Sequence, residues 1–201
     1  MTGLAMEGPA MNGTGPVRAL LVDLDGTLAD TADANYAAYA AALAEAGVEP
    51  GRAAFDAVAA GRNWRQFLPV LLGETRAGEA PGIAARKTAL YADMLHHVRI
   101  NTPLVRMIEA FLQTGRAALV TTASRASVDA ILAHHDLARL FEVTITGDEV
   151  TQHKPHPQPY LMATEALDLT PDSCLAIEDS DVGVASAEAA GCPVLRVVMT
   201  S

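Results

Sequence analysis

The chain is expected to form an α/β fold, a doubly wound parallel five-stranded sheet with an inserted α-helical domain after the first strand. Three observations lead there. Five short apolar runs recur at 17–23, 117–122, 142–147, 174–178 and 193–199. Helical patterns separate the last four of them, and alternation of strand and helix makes βαβ units with helices on both faces of a mostly parallel sheet. The stretch 30–100 breaks that alternation, with helical periodicity and no convincing strand.

Taken in order, the first sixteen residues, MTGLAMEGPAMNGTGP, are small, polar and Gly-rich and read as a flexible tail. They lack the basic region and apolar core of a secretory signal, so a cytoplasmic location is the default. Val17 to Val22 reads as a buried strand, followed by Asp23-Leu24-Asp25-Gly26-Thr27. Asp30 or Thr31 can cap a helix through Tyr36, Tyr39, Ala40 and Leu43, which Gly47 ends. Helical pieces follow at 52–60 and 64–72, then a Gly-rich loop at 73–82 and a long helix from Ile83 to Val98. The crossings at 26–31 and 99–103 are placed where a lid would hinge. The domain reading is therefore a tail at 1–16, a core at 17–29 and 101–201, and a helical cap at 30–100. Thr102 to Thr114 carries Leu104, Val105, Ile108, Phe111 and Leu112 at helical spacing before the Gly115 stop. Ser124 caps a helix through Val128, Ile131 and Leu132, Pro157 to Leu167 forms another, and Ser180 caps one that ends at Gly191.

Composition narrows the function. At 201 residues and 50% hydrophobic, the chain can bury a sizeable core. A net charge of -10 argues against a nucleic-acid partner, which needs a basic face. It does not argue against a phosphorylated substrate, because one Lys or a metal reverses the field locally. No apolar run approaches the ~20 residues of a membrane span. Cys174 and Cys192 lie in or beside apolar runs and read as buried free thiols.

Four signals fall at carboxyl ends of expected strands: Asp23/Asp25, Thr121-Thr122, Lys154 in His153-Lys154-Pro155-His156-Pro157, and Glu178-Asp179. In one open sheet these ends converge on a ligand crevice. An Asp carboxylate there can attack phosphorus and form an aspartyl-phosphate that water later cleaves. A phosphate dianion repels that carboxylate, so cations must offset the charge. Mg²⁺ held by oxygen ligands does this, with Asp23, Asp25 and Asp179 as candidate ligands and Glu178 binding directly or behind them. Lys154 supplies a fixed positive charge. Thr122 and the backbone N–H groups after it, beginning with Ala123, can bind the transferring oxygens. Asp25 can protonate the leaving oxygen and then take a proton from water.

With these residues in place, the chain resembles the haloacid dehalogenase superfamily, in the branch of phosphatases and phosphomutases with a small helical cap and a Rossmann-like core. DLDGT resembles the first motif, which implies Asp23 as nucleophile and Asp25 as acid/base. Thr122 stands where the family has its second-motif Ser or Thr, KPHPQPY resembles the third motif with Lys154, and EDSDVGVASAEAAG is similar to the fourth with Glu178 and Asp179. Dehalogenases of the family do not keep the second Asp, so Asp25 speaks against carbon–halogen hydrolysis. Its phosphonate hydrolases usually have a small residue there and a Schiff-base Lys in the cap, whereas the cap here has one Lys, Lys87, inside a long helix. The β-phosphoglucomutases carry a His twelve residues after the nucleophile, where this chain has Asn35. The resemblance therefore implies a Mg²⁺-dependent phosphatase of a small phosphorylated metabolite, with a sugar-phosphate mutase as the enzymatic alternative. A regulatory binding protein on this scaffold would be expected to have lost one of Asp23, Asp25, Lys154 and Asp179, and all four are present.

In the cap, Arg62, Asn63, Trp64 and Arg65 read either as contacts to the distal part of a phosphosugar or as a solvated helix end anchored by Trp64. Asn35 is a further candidate substrate contact. His96-His97 and His134-His135 are adjacent on helices and do not share a face, which argues against a metal. His153 and His156 read as surface loop residues, and Gly183 as a helix-packing glycine.

Overall fold

The computed structural model describes residues 15–59 and 64–199. Arg62, Asn63 and most of the expected tail lie outside them. The chain divides into two compact units, one of Met1–Leu28, Thr102–Ala123 and Arg139–Ser201, the other of Ala29–Asn101 and Ser124–Ala138.

The first unit is built on β1 (Ala19–Val22), β4 (Arg116–Val120), β5 (Val143–Ile145), β6 (Cys174–Glu178) and β7 (Val194–Arg196). They form one sheet in the order β5-β4-β1-β6-β7, every neighbouring pair parallel. The runs of β1, β4 and β6 have the hydrophobicity of strands covered on both faces, whereas the edge strand β7 exposes Leu195 and Arg196. Ala19 and Leu21 of β1 join Ala118, Val120, Cys174 and Ala176 in a core with Tyr160, Ala163 and Leu167 of α7 (Gln158–Ala166) and Ala187 of α8 (Asp181–Ala189). Leu20, Val22, Leu119 and Ile177 point to the opposite face and are buried as well. The unit also holds α5 (Thr102–Phe111), which buries Leu104 and Ile108. Cys174 and Cys192 are buried and free. Among the described residues no helix is long and apolar enough to cross a membrane.

The second unit contains β2 (Ala29–Asp30), α1 (Ala32–Glu45), α2 (Arg52–Ala59), α3 (Trp64–Leu72), α4 (Ala80–Tyr91), β3 (Arg99–Ile100) and α6 (Arg125–His134). Its core holds Leu43, Phe55, Phe67, Leu68, Leu72 and Ile83. Phe55 and Phe67 meet edge-on with centroids 5.5 Å apart, and Tyr36 and Tyr39 close on them at 5.4 and 5.1 Å.

The structure differs from the sequence reading in three places here. The expected loop at 73–82 is instead a 3₁₀ turn, Glu74–Glu79, followed at once by α4. Pro81 lies in the first turn of α4, where its missing N–H costs nothing. The long helix to Val98 stops at Tyr91 and continues as 3₁₀ over Ala92–His97. The stretch 30–100 is not wholly helical, because Asp30 and Arg99 pair as antiparallel strand residues and their side chains meet at 2.5 Å. Two-residue strands carry no period-2 pattern long enough to be seen in sequence. The caps are as expected: Ser124 Oγ accepts from the Ser127 N–H and Ser180 Oγ from the Gly183 N–H. At α1 it is Asp30, not Thr31, whose side chain accepts from the Ala32 N–H.

Candidate active site

Strand register sets the site. Val22 of β1 pairs with Leu119 on one side and with Ile177 on the other. One residue further on, Asp23, Val120 and Glu178 therefore stand at the same height on three neighbouring strands. The Asp23 N–H still donates to Ile177 O at 3.0 Å, which holds the residue in line with the sheet. Gly26 then turns the chain with φ 86°, a backbone that L side chains avoid. A Cβ at Gly26 would lie 2.2 Å from Asp179 Oδ2, so the missing side chain is also what admits that carboxylate.

Lys154 is the hub. Its Nζ donates to Asp23 Oδ1 at 2.7 Å, Glu178 Oε1 at 2.5 Å and Val120 O at 2.9 Å, which uses all three of its N–H bonds. Its side chain is 4% exposed, that of Asp23 10% and that of Glu178 0%. Burial alone would push the ammonium's pKa down, but the charges and hydrogen bonds of Asp23 and Glu178 outweigh it, and Lys154 is held above its ordinary value. The loop that carries it is tied down by Ser186, a buried residue of α8 whose Oγ donates to His156 O at 2.7 Å.

Three carboxylates, Asp23, Glu178 and Asp179, each present an oxygen within 4.8 Å of the others. One ammonium cannot neutralise three anions. Burial pushes the Asp23 carboxyl up to about 7, with Glu178 adding to the rise and Lys154 opposing it. Burial and the Glu178 charge raise Asp179 as well. A cluster of hard oxygen donors with this charge imbalance fits a divalent cation such as Mg²⁺. Asp25 is exposed, and its carboxylate is not one of the three. Thr27, buried at the following turn, donates to Asp179 Oδ1 at 3.4 Å.

The two threonines after β4 differ. Thr122 is exposed and Ala123 half-buried. Thr121 is buried, its N–H donating to Ile145 O at 2.9 Å and its Oγ accepting from the Ala123 N–H at 3.1 Å. It directly follows Val120, whose carbonyl holds Lys154. In the second unit, Asn35 Nδ2 donates to Thr31 Oγ at 3.2 Å, and the exposed Arg65 lies 4.4 Å over the Trp64 ring. His153 and His156 are exposed.

Sequence reasoning passed over Tyr160, and it read Gly183 as a packing glycine without its partner. Tyr160 is fully buried and its hydroxyl donates to Glu178 Oε1 at 2.6 Å. The available signal was a tyrosine on the apolar face of α7, whose hydroxyl needs a partner when buried. Gly183 permits the close packing expected of it, and what it packs on is the Glu178 carboxylate: a Cβ there would stand 2.0 Å from Glu178 Cδ. Gly183→Ala should therefore displace that carboxylate from Lys154 and Tyr160. The expected cost is about 1–3 kcal/mol of stability from overpacking, with the activity of the site falling by about tenfold or more. Parental melting and parental turnover together would show that Glu178 has room to move.

Comparison with known proteins gives the family. The family profile of haloacid dehalogenase-like hydrolases matches residues 20–197. Protein CbbY of Rhodobacter capsulatus is 35% identical, over 92% of this chain and 85% of its own length. Fructose-1-phosphate phosphatase YqaB of Escherichia coli (strain K12) is 28% identical, over 86% of this chain and 92% of its own. Among solved structures, CbbY from Rhodobacter sphaeroides in complex with phosphate superposes with a TM-score of 0.76 at 25% identity, covering 92% of this chain and 87% of that one. The chain belongs to the haloacid dehalogenase-like hydrolases, in the branch that includes CbbY, phosphatases and β-phosphoglucomutase-like proteins with a helical cap. It is an enzyme, a phosphatase-type hydrolase of that family.

Proposed function

We propose that the protein is a Mg²⁺-dependent phosphatase that hydrolyses a small phosphorylated metabolite, a sugar phosphate or similar phosphomonoester, through an aspartyl-phosphate on Asp23. The observation that carries this reading is the Lys154 ammonium, fixed between Asp23 and Glu178 at the ends of β1 and β6. The names of the relatives support the substrate class, a fructose-1-phosphate phosphatase and a phosphate-bound CbbY among them.

Asp23 Oδ1 is engaged by Lys154, which leaves Oδ2 to attack phosphorus. The oxygen–phosphorus bond to Asp23 forms as the bond to the leaving oxygen breaks, and Asp25 gives that oxygen its proton. Asp25, now a carboxylate, takes a proton from water as the water attacks phosphorus. Inorganic phosphate departs and Asp23 is restored. Lys154 stays charged throughout and offsets the negative charge of the transferring group. The exposed Thr122 hydroxyl supplies a further donor to the phosphoryl oxygens, and the Ala123 N–H adds another on exchanging its bond to Thr121 Oγ for one to the substrate. Asp23, Asp179 and Glu178 would hold Mg²⁺, with Asp25 beside them, and the ion when bound lowers the repulsion between carboxylate and phosphate. The helical stretch 30–100 is proposed as the cap that selects the substrate, with Asn35, Arg62 and Arg65 as candidate distal contacts.

Phosphate release over a panel of phosphorylated metabolites tests the reading. Activity should require Mg²⁺ and vanish with EDTA, and Ca²⁺ should substitute poorly because its shell is larger and more variable. Asp25→Asn should slow turnover by about 10²- to 10⁴-fold on a substrate with a poor leaving group. With β-glucose 1-phosphate, Mg²⁺ and a trace of bisphosphate, free phosphate should appear. Rapid formation of glucose 6-phosphate with little free phosphate would replace the phosphatase reading by a mutase. Full activity after exhaustive chelation would remove the metal from it.

A further inference from the structure

Glu178 is the most tightly enclosed carboxylate of the site, and its two oxygens are treated differently. Oε1 accepts from Lys154 Nζ at 2.5 Å and from Tyr160 OH at 2.6 Å. Oε2 accepts from Ser180 Oγ at 3.3 Å, a long contact. Gly183 backs the group so closely that no Cβ fits, which removes one direction in which the carboxylate could swing. Two short donors on one oxygen fix the plane of a carboxylate, and the other oxygen keeps lone pairs for a further ligand. Lys154 alone would not do this, because it is a point charge on a flexible stem that also serves Asp23 and Val120. Tyr160 is different. Its ring is fully buried in the core cluster that also holds Ala163, Leu167, Cys174 and Ala187, and its centroid lies 5.1 Å from Lys154 Nζ. Its hydroxyl is therefore a rigid donor aimed from the core at one carboxylate oxygen.

We propose that Tyr160 is a positioning residue, which by holding Glu178 Oε1 fixes the Glu178 carboxylate for the divalent cation and sets the affinity of the site for it. This rests on the reading of Asp23, Glu178 and Asp179 as the cation-holding group. Partners standing behind metal ligands are commonly worth 10- to 100-fold in metal affinity. The hydroxyl touches neither cation nor substrate, so its effect falls on metal binding ahead of substrate KM.

Tyr160→Phe removes the hydroxyl and keeps the ring. Thr164→Val is the control: Thr164 is a buried residue of the same helix, whose hydroxyl donates to Leu161 O at 2.9 Å and has no bond to the site. Mg²⁺ binding to the parent and to each metal-stripped variant is measured by titration calorimetry, with melting temperature and circular dichroism alongside. Tyr160→Phe is expected to fold and to weaken Mg²⁺ binding by about tenfold or more. The Mg²⁺ concentration for half-maximal turnover should rise in parallel, with substrate KM at saturating Mg²⁺ within twofold of the parent. Thr164→Val should bind Mg²⁺ as the parent does. Parental affinity in Tyr160→Phe would overturn the proposal and leave the phosphatase reading standing. Equal weakening in Thr164→Val, or a Tyr160→Phe chain that does not fold, would overturn it in favour of a packing role. A parent protein that binds no Mg²⁺ would overturn both readings at once.

Discussion

Asp23→Asn is expected to reduce phosphate release to background while leaving the fold intact. The loss should be about 10⁴-fold or more, because a nucleophile that works as part of a unit takes most of the catalysis with it. An amide oxygen is a poor nucleophile toward phosphorus and brings no negative charge to a cation. The fold should survive, because the Asn side-chain oxygen can still accept from Lys154 Nζ, as Asp23 Oδ1 does at 2.7 Å. In the metal-free protein it should be no less stable than the parent above pH 7. Burial raises the Asp23 carboxyl to about 7, so the native state holds this proton more tightly than the unfolded chain. That contribution is present at low pH and is lost as pH rises from about 4 through 7. At pH 8 the parent carries a strained carboxylate that Asn lacks. Thermal melting at pH 8 without metal, and again with Mg²⁺, measures this: the parent should gain more from Mg²⁺ than the variant. Phosphate release by Asp23→Asn near the parental rate would end the assignment of Asp23 as nucleophile.

Lys154→Met should damage both stability and turnover. Met matches the stem in length but leaves Asp23 and Glu178 as buried anions without their cation, and Val120 O without its donor. Removing one partner of a buried ion pair costs about 3–5 kcal/mol. For a chain of this size that lowers the melting temperature by roughly 10 °C. Mg²⁺ should restore part of the loss, since it supplies positive charge to the same carboxylates, but not the activity. Turnover should stay down by about 10²- to 10³-fold at saturating Mg²⁺, because the charge over the transferring group is gone. Chemical denaturation with and without Mg²⁺, paired with phosphate release, reads both effects. A variant within 1 kcal/mol of the parent, or one that regains full activity with Mg²⁺, would show that Lys154 is not the centre of the site.

The central strands β1, β4 and β6 were legible because each is a short run rich in Val, Leu, Ile and Ala and buried on both faces, and such runs need no partner to be recognised. Asp23, Lys154, Glu178 and Asp179 were legible for a related reason. Each directly follows or ends such a run, or follows within a short loop, and the carboxyl ends of parallel strands share one edge. Asp25 and the threonine pair were legible as types at that edge, but not their burial: Thr121 is enclosed and Thr122 faces out. That difference depends on how the chain leaves β4, which composition does not encode. Helix limits around 73–98 were missed because 3₁₀ turns and α-helices share composition, and the choice between them is made by packing. The two-residue strands β2 and β3 were missed because their pairing joins residues 69 apart in sequence, Asp30 and Arg99.

Sequence alone determined which chemical groups stand at the end of which strand, because local hydrophobic pattern and chain order settle that. Only the tertiary structure decided who holds whom. That Lys154 spends its three N–H bonds on Asp23, Glu178 and Val120, that Tyr160 reaches Glu178 from the core, and that Gly26 and Gly183 leave room for Asp179 and Glu178 are all contacts between distant segments. They depend on distances of a few tenths of an ångström between packed elements. No single segment carries that information, because hydrogen bonds and close contacts are properties of pairs.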